Sequence, residues 1–90
     1  MTTPKDSQQS NKPIHALRIG LVKCAIWANR KDDAIWYSVT FERGYLIKTA
    51  DGKAEGWGAT QSMNRDDLLV LAKLADAAHS WIIRTEQART

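Results

Sequence analysis

The chain has 90 residues, and its 13 lysines and arginines outnumber its 10 acidic residues by three. A chain of this length forms one small domain, and its single cysteine excludes an internal disulfide. Domains this small bury only about 60% of their unfolded surface, so they commonly rely on a disulfide, a metal or an oligomer. No apolar run approaches the ~20 residues of a membrane span, and the N-terminus lacks the apolar stretch of a signal peptide. A soluble, cytoplasmic protein is therefore expected.

The apolar pattern divides the chain into a central domain and two tails. Residues 1–13 are largely polar without periodicity, which predicts a flexible N-terminal tail. Residues 14–84 carry the periodic segments and are predicted to form the domain. Residues 85–90 continue the last helical pattern without an apolar face and are predicted to form a flexible C-terminal tail.

Residues 16–29 have the alternating pattern of β-structure, but the alternation changes phase near Gly20. A shift of one residue turns every side chain to the opposite face, so two strands are predicted, with a break at the glycine. In the second strand, about residues 21–30, one face points to the core and the other away from it. The core face is predicted to hold Val22, Cys24 and Ile26, and the opposite face Lys23, Ala25 and Trp27.

A third strand is predicted over residues 34–48, which are rich in β-branched and aromatic side chains. Its core face contains Val39 and Phe41, and Gly44 is expected to bend it. Asp51-Gly52 is a turn signal, and a shorter fourth strand is predicted over residues 55–62.

The last element is a helix that begins at Asn64, a favourable N-cap residue followed by acids in the first turn. Its apolar arc spans roughly 220°, about twice the stripe that packs one helix on one sheet. The sheet is predicted to be covered by Leu68, Leu71, Ala75, Ala78 and Ile82. A second stripe is predicted to form a homodimer interface, and it consists of Val70, Leu74 and Trp81. A helix wrapped by loops of its own chain remains the alternative.

The element order is thus β-β-β-β-α. It predicts an α+β fold in which a four-stranded curved antiparallel sheet is followed by one C-terminal helix, in a dimeric protein.

Catalytic and metal-binding constellations are not predicted. One cysteine and two histidines, with no cluster at ligand spacing, predict no metal site and no cofactor. Asp66 and Asp67 are explained by helix capping, and Cys24 by core packing. The protein is therefore not expected to be an enzyme, to bind a small-molecule substrate or to associate with a membrane.

The functional prediction rests on tryptophans that point away from the core in the predicted strands. Trp27, Trp36 and Trp57 are interleaved with basic side chains, and rings on a sheet stack unpaired bases while cations track phosphates. The alternative is that the rings pack under loops or in an interface. The candidate nucleic-acid-binding residues are Arg18, Lys23, Trp27, Trp36, Arg43, Tyr45, Lys48, Lys53 and Trp57.

Four short motifs resemble one known family. They are Leu17-Arg18-Ile19-Gly20, Val39-Thr40-Phe41-Glu42-Arg43-Gly44-Tyr45, Asp51-Gly52-Lys53 and Ser62-Met63-Asn64. In this order they resemble the single-stranded-DNA-binding domain of the transcriptional coactivator positive cofactor four, a curved four-stranded sheet with a C-terminal dimerisation helix. The resemblance implies that Lys23 and Arg43 contact phosphates and that Tyr45 stacks on a base. The chain departs from the family at Leu21, Glu55 and Ala59, where the family carries lysines.

Together these patterns predict a homodimeric single-stranded DNA-binding protein, largely sequence-independent, that acts in replication, recombination or transcription. Two alternatives remain open. One is a protein-interaction module on the same fold, and the other is an RNA-binding protein, because stacking and phosphate contacts alone do not distinguish the sugars.

Overall fold

A computed structural model describes residues 8–9 and 12–89 and contains one antiparallel sheet with a helix on one face. The strands are β1 (Gln8–Gln9), β2 (His15–Ile19), β3 (Val22–Lys31), β4 (Ala34–Lys48) and β5 (Ala54–Thr60). A 3-10 turn (Arg65–Asp67) leads directly into helix α1 (Leu68–Ala88).

The sheet is four strands wide, because β1 and β2 both pair with the same edge of β3 and lie end to end. The remaining order is β3-β4-β5, and every pairing is antiparallel. The predicted four-stranded antiparallel sheet followed by one C-terminal helix is confirmed. Residues 1–7, 10 and 11 of the predicted N-terminal tail lie outside the described residues. At the other end α1 runs through Ala88, so most of the predicted C-terminal tail is helical.

The predicted break near Gly20 is a tight hairpin turn. Ile19 pairs with Val22, and Gly20 between them has a φ of +60°, a backbone conformation that favours glycine. The phase change in the sequence therefore marks the turn between β2 and β3. The expected bend at Gly44 does not interrupt pairing, since the register of β4 with β5 shifts between Ile47 and Lys48 instead.

The core lies between β3 and α1. Val22, Cys24 and Ile26 point toward the helix and are almost fully buried, and Leu74 and Ala78 of α1 pack against them. Val39 and Phe41 of β4 pack at the margin of this cluster. The predicted core faces of the second and third strands are therefore confirmed.

The helix is rotated relative to the prediction. Leu74 is only 2% exposed, and Val70 and Trp81 pack against the same core, so these three residues do not form an outward stripe. Of the five residues predicted to cover the sheet, Leu71, Ala78 and Ile82 pack in or against the core as expected. Leu68, which is 52% exposed, and Ala75, which is also exposed, do not.

The reason is a partner on β2 that the helical pattern alone does not reveal. The indole of Trp81 stacks on the imidazole of His15, with ring centres 4.8 Å apart and planes within 8°. The Tyr37 ring meets the same indole edge-on at 6.3 Å. These contacts bring the Trp81 side of α1 onto the sheet, and Leu74, which lies on the same side of α1, is buried with it.

Candidate nucleic-acid interface

The face of the sheet opposite α1, here called the open face, carries most of the predicted binding residues. Side chains alternate between the two faces of a strand, so residues next to the core positions Val22, Cys24 and Ile26 point away from the helix. The strand register places five predicted binding residues on the open face: Arg18, Lys23, Trp27, Trp36 and Trp57.

A pocket of about 270 Å³ lies on the open face beside Trp57. Arg18 and Lys23, which are cross-strand partners, line one part of it, and the Trp57 ring, 65% exposed, lines another. The remaining lining residues are Leu21, Glu42, Gly44, Gly58 and Ala59. This cavity, called the Trp57 pocket below, brings two cations and one accessible aromatic ring together.

A second cavity of about 280 Å³ adjoins the Trp57 pocket, because Lys23 and Glu42 line both. Its other lining residues are Pro13, Ala25, Trp27 and Thr40. The Trp27 indole is held in place by its Nε1, which donates a hydrogen bond to Thr40 Oγ1 at 2.9 Å. The two neighbouring cavities, which share Lys23 and Glu42 in their lining, are together called the open-face groove, with Trp57 at one end and Trp27 toward the other.

Trp36 extends the aromatic surface beyond Trp27 and is 40% exposed. Its cross-strand partner Asn29 is buried, and the Asn29 amide donates to Ser38 Oγ at 3.1 Å and to the Trp36 carbonyl oxygen at 3.4 Å. Trp36 and Leu46, the partner of Trp57, are ten residue steps apart along β4, which is roughly 33 Å of strand. The candidate surface is therefore long enough for several nucleotides.

The two cations of the pocket differ in their electrostatic surroundings. Lys23 Nζ lies 3.3 Å from Glu42 Oε1, with both side chains about 40% exposed (38% and 45%). Among residues 12–89 no acidic side chain pairs with Arg18. Arg18 therefore offers a full charge to an incoming phosphate, whereas Lys23 shares its charge with Glu42.

Arg43 lies on the helix side of the sheet, away from the groove. Its Nε is 3.2 Å from Asp67 Oδ2 and donates to the Ser62 carbonyl oxygen at the same distance. The Asp67 carboxylate also accepts the Asn64 backbone N–H at 2.8 Å, at the start of the helix. Arg43 thus ties β4 to the beginning of α1, and it does not join the residues of the groove.

Tyr45 also lies on the helix side. Its ring packs directly over Gly58, where an added Cβ would lie 2.6 Å from Tyr45 Cζ. The alternation along β4 could have revealed this, because Arg43 and Tyr45 share the phase of the core residues Val39 and Phe41. One strand of nucleic acid on the open face cannot contact Tyr45 and Trp57 together.

Lys48 and Lys53 are exposed and flank the turn between β4 and β5. The turn is closed by Thr49 N–H donating to the Lys53 carbonyl oxygen at 2.8 Å. Asp51 accepts a hydrogen bond from the Thr49 hydroxyl and another from the Lys53 backbone N–H, and these lower the pKa of its carboxyl. The two lysines add positive charge beyond the Trp57 end of the groove, next to this carboxylate.

Sequence reasoning did not assign Leu21, Glu42 and Gly44 to the Trp57 pocket, nor Gly58 and Ala59. Leu21 lies in the turn between β2 and β3, and Glu42 and Gly44 are unremarkable within β4. The pocket exists only because β2, β3, β4 and β5 lie side by side. The alternation did place Glu42 with Trp36 and Thr40 on one face of β4, which is the only signal that the sequence carries.

Three further features of residues 8–9 and 12–89 concern groups outside the open face. No group of three or more histidine, cysteine or acidic side chains is arranged to hold a metal ion in that part of the chain. Within the same residues, α1 is not apolar enough to be a candidate membrane span. Burial raises the pKa of the Cys24 thiol, as for a packed hydrophobic side chain.

Comparison of the chain with protein-family models, curated proteins and solved structures finds no match.

Proposed function

We propose that this protein is a homodimeric, non-enzymatic protein that binds single-stranded DNA along the open-face groove. The observation that carries the proposal is that two adjoining cavities on one face of the sheet together present Trp27, Trp57, Arg18 and Lys23. Bases stack on the rings, and the cations neutralise phosphates of the backbone. Most of these contacts read no base identity, so binding is largely independent of sequence.

The single strand is favoured over duplex because its unpaired bases are free to stack on the rings of the open face. Stacking on Trp27 or Trp57 requires a base whose π-face is free, and in a duplex both faces of each base are covered by its neighbours. The net charge of +3 is modest, so phosphate contacts alone would supply little affinity.

The dimer in this proposal uses an apolar surface of α1 and β4 that the chain leaves uncovered. Leu68, Leu69 and Ile83 are 52%, 84% and 39% exposed on the helix. Beside the helix a cavity of about 350 Å³ is lined by Val39 and Phe41 of β4 together with Thr40, Gln61, Met63 and Leu71. In a dimer with two-fold symmetry, each copy would cover the exposed helix residues and the cavity of its partner with its own copy of the same surface.

The biological setting follows from the resemblance to the positive cofactor four family and is part of the proposal. Exposed single strands arise in replication, recombination and transcription. The single, buried Cys24 is consistent with a cytoplasmic protein, where thiols stay reduced.

A second candidate, a protein-docking module, is favoured by one observation. Leu46 and Trp57, which pair across β4 and β5, are 39% and 65% exposed, and Leu21 in the turn between β2 and β3 is 50% exposed. Together they could dock an apolar side chain of another protein. This alternative predicts no response to oligonucleotides.

Titration with oligo-dT tests the proposal through the intrinsic fluorescence of the groove tryptophans. We expect quenching that is reversed by salt and competed better by single strands than by duplex. Arg18→Ala should weaken binding, and Lys73→Ala, which removes a cation from the exposed side of α1, should not. Absence of quenching, or equal competition by duplex, would contradict the proposal.

A further inference from the structure

We propose that the Trp57 pocket accommodates one unpaired nucleobase and selects guanine through the carboxylate of Glu42. This inference rests on the proposed function and adds one position of base preference to an otherwise tolerant groove. Glu42 is then a specificity-determining residue rather than a neutral member of the sheet surface.

The first argument is the glycine that lines the pocket. Gly44 lies within the long strand β4, where glycine weakens a strand and often marks a place that another group approaches closely. Its φ is not in the region that only glycine favours. A Cβ built at this position would meet no protein atom closer than 3.9 Å. Neither backbone conformation nor packing within the chain requires glycine here, but a side chain would fill the pocket.

The second argument is the size and lining of the pocket. Its volume of about 270 Å³ is just below the range of typical small-molecule pockets, which suits a single base better than a larger ligand. The Trp57 ring supplies a flat surface for stacking, and Leu21 adds apolar contact. Arg18, on the rim, lies within the same lining and can reach the phosphate attached to a base held there.

The third argument is the pair of polar groups in the pocket. Lys23 Nζ and Glu42 Oε1 lie 3.3 Å apart and remain partly exposed, so a donor and an acceptor stand side by side. On its Watson–Crick edge, guanine presents the O6 acceptor beside two donor groups, N1–H and N2–H₂. The Glu42 carboxylate can accept from both donors while Lys23 donates to O6, so both charges stay hydrogen-bonded when the base enters.

The other bases match this pair less well. Cytosine and adenine each offer one amino group on that edge, and thymine offers one N–H, so each satisfies only one carboxylate oxygen. A correct bidentate pair discriminates by about 1–3 kcal/mol, which corresponds to roughly 5- to 150-fold in affinity. Cytosine is the nearest competitor, because its amino group pairs well with a carboxylate.

The test compares four oligonucleotides about ten nucleotides long, all thymidine except for one central guanine, cytosine, adenine or thymine. Fluorescence anisotropy with the wild-type protein should give at least about fivefold tighter binding of the guanine oligomer. In Glu42→Gln, whose amide has one acceptor, the guanine advantage should fall to within about twofold. The matched control Glu86→Gln makes the same chemical change on α1 and should keep the full preference.

A second variant tests the pocket independently of Glu42. A Cβ at position 44 makes only ordinary van der Waals contacts, at 3.9 Å, and valine is favourable in a strand, so Gly44→Val should fold with a melting temperature close to that of the wild type. With the pocket filled, the guanine preference should disappear. Ala34→Val, an exposed strand position outside both cavities, should retain it.

The outcomes separate this inference from the proposed function. Equal binding of all four oligomers, or a guanine preference that survives both Glu42→Gln and Gly44→Val, overturns the inference and leaves the proposed function standing. A preference for cytosine overturns the assignment of guanine. Failure of every oligomer to bind overturns the inference and the proposed function together.

Discussion

The two faces of the sheet use similar residue types in opposite ways. On the helix side, Arg43 is held by Asp67 and the Ser62 carbonyl oxygen, and the Trp81 ring is stacked on His15. On the open face, Arg18 has no acidic partner among residues 12–89, and Trp57 is 65% exposed. Side-chain chemistry therefore does not separate structural residues from candidate binding residues in this chain. The two kinds of residue differ in whether other groups of the chain already pair with their charge or stack on their ring.

The comparison matters because groups that the chain leaves exposed and incompletely paired gain the most from a ligand. A cation that is already paired must give up its partner before it binds a phosphate, and a ring that is already stacked offers no free face. The largest predicted effects thus concern stability on the helix side, and the smaller ones concern binding on the open face.

The largest effect is expected at Leu74. Leu74→Asp places an unpaired carboxylate among Val22, Cys24 and Ile26 and leaves a cavity, so the protein should be unfolded at room temperature. Leu69→Asp, at a helix position that is 84% exposed, should remain folded. Far-ultraviolet circular dichroism with thermal melts distinguishes the two. A folded Leu74→Asp variant would show that the helix packs with a different face on the sheet.

The next effect concerns the uncovered apolar surface. Leu68→Asp should weaken dimerisation at least about a hundredfold, because a charge buried without a partner in an interface costs about 3–5 kcal/mol. The monomer should stay folded, since Leu68 is 52% exposed within the chain. Sedimentation equilibrium across a concentration series measures the change, with Lys53→Asp, an exposed position in the turn between β4 and β5 and away from α1, as the control. A wild-type protein that is monomeric at micromolar concentration would rule out the dimer.

These helix residues also show where sequence reasoning stops. Alternation along a strand has only two phases, so the core positions Val22, Cys24 and Ile26 could be predicted correctly from the pattern. A helix with an apolar arc of roughly 220° offers many orientations, and periodicity alone does not choose among them. The choice depends on His15, which is far from Trp81 in sequence but stacks on it in the fold.

The candidate site was predictable only in part, for a similar reason. Trp27, Trp36 and Trp57 could be assigned to one face because each lies on a clear strand phase. Glu42 and Gly44 could not be assigned to a pocket, since the pocket depends on how four strands align. Arg43 and Tyr45 were nominated by resemblance, although their phase matches that of the core.

The third prediction compares one aromatic ring on each face of the sheet, Trp57 on the open face and Tyr45 on the helix side. Trp57→Ala should weaken oligo-dT binding by about 1–3 kcal/mol with little change in melting temperature, because the ring is largely exposed. Tyr45→Ala should instead lower the melting temperature and leave oligo-dT binding nearly unchanged. It removes the aromatic ring that covers Gly58 and compensates for that glycine in β5. Affinities and melting temperatures of both variants test this. Loss of binding in Tyr45→Ala at unchanged stability would move the interface to the helix side.

The smallest effect, and the most direct contrast between the faces, concerns two arginines. Arg18→Ala should leave stability unchanged and reduce the magnitude of the slope of log affinity against log salt by about 0.7, the value for one phosphate contact on a single strand. Arg43→Ala should keep that slope and lose about 1 kcal/mol of stability, because it breaks the contacts that join β4 to the helix start. Urea unfolding and oligo-dT titrations from low to moderate salt measure both quantities. If the slope changes in Arg43→Ala and not in Arg18→Ala, the phosphates follow the helix side, and the open-face groove is not the binding surface.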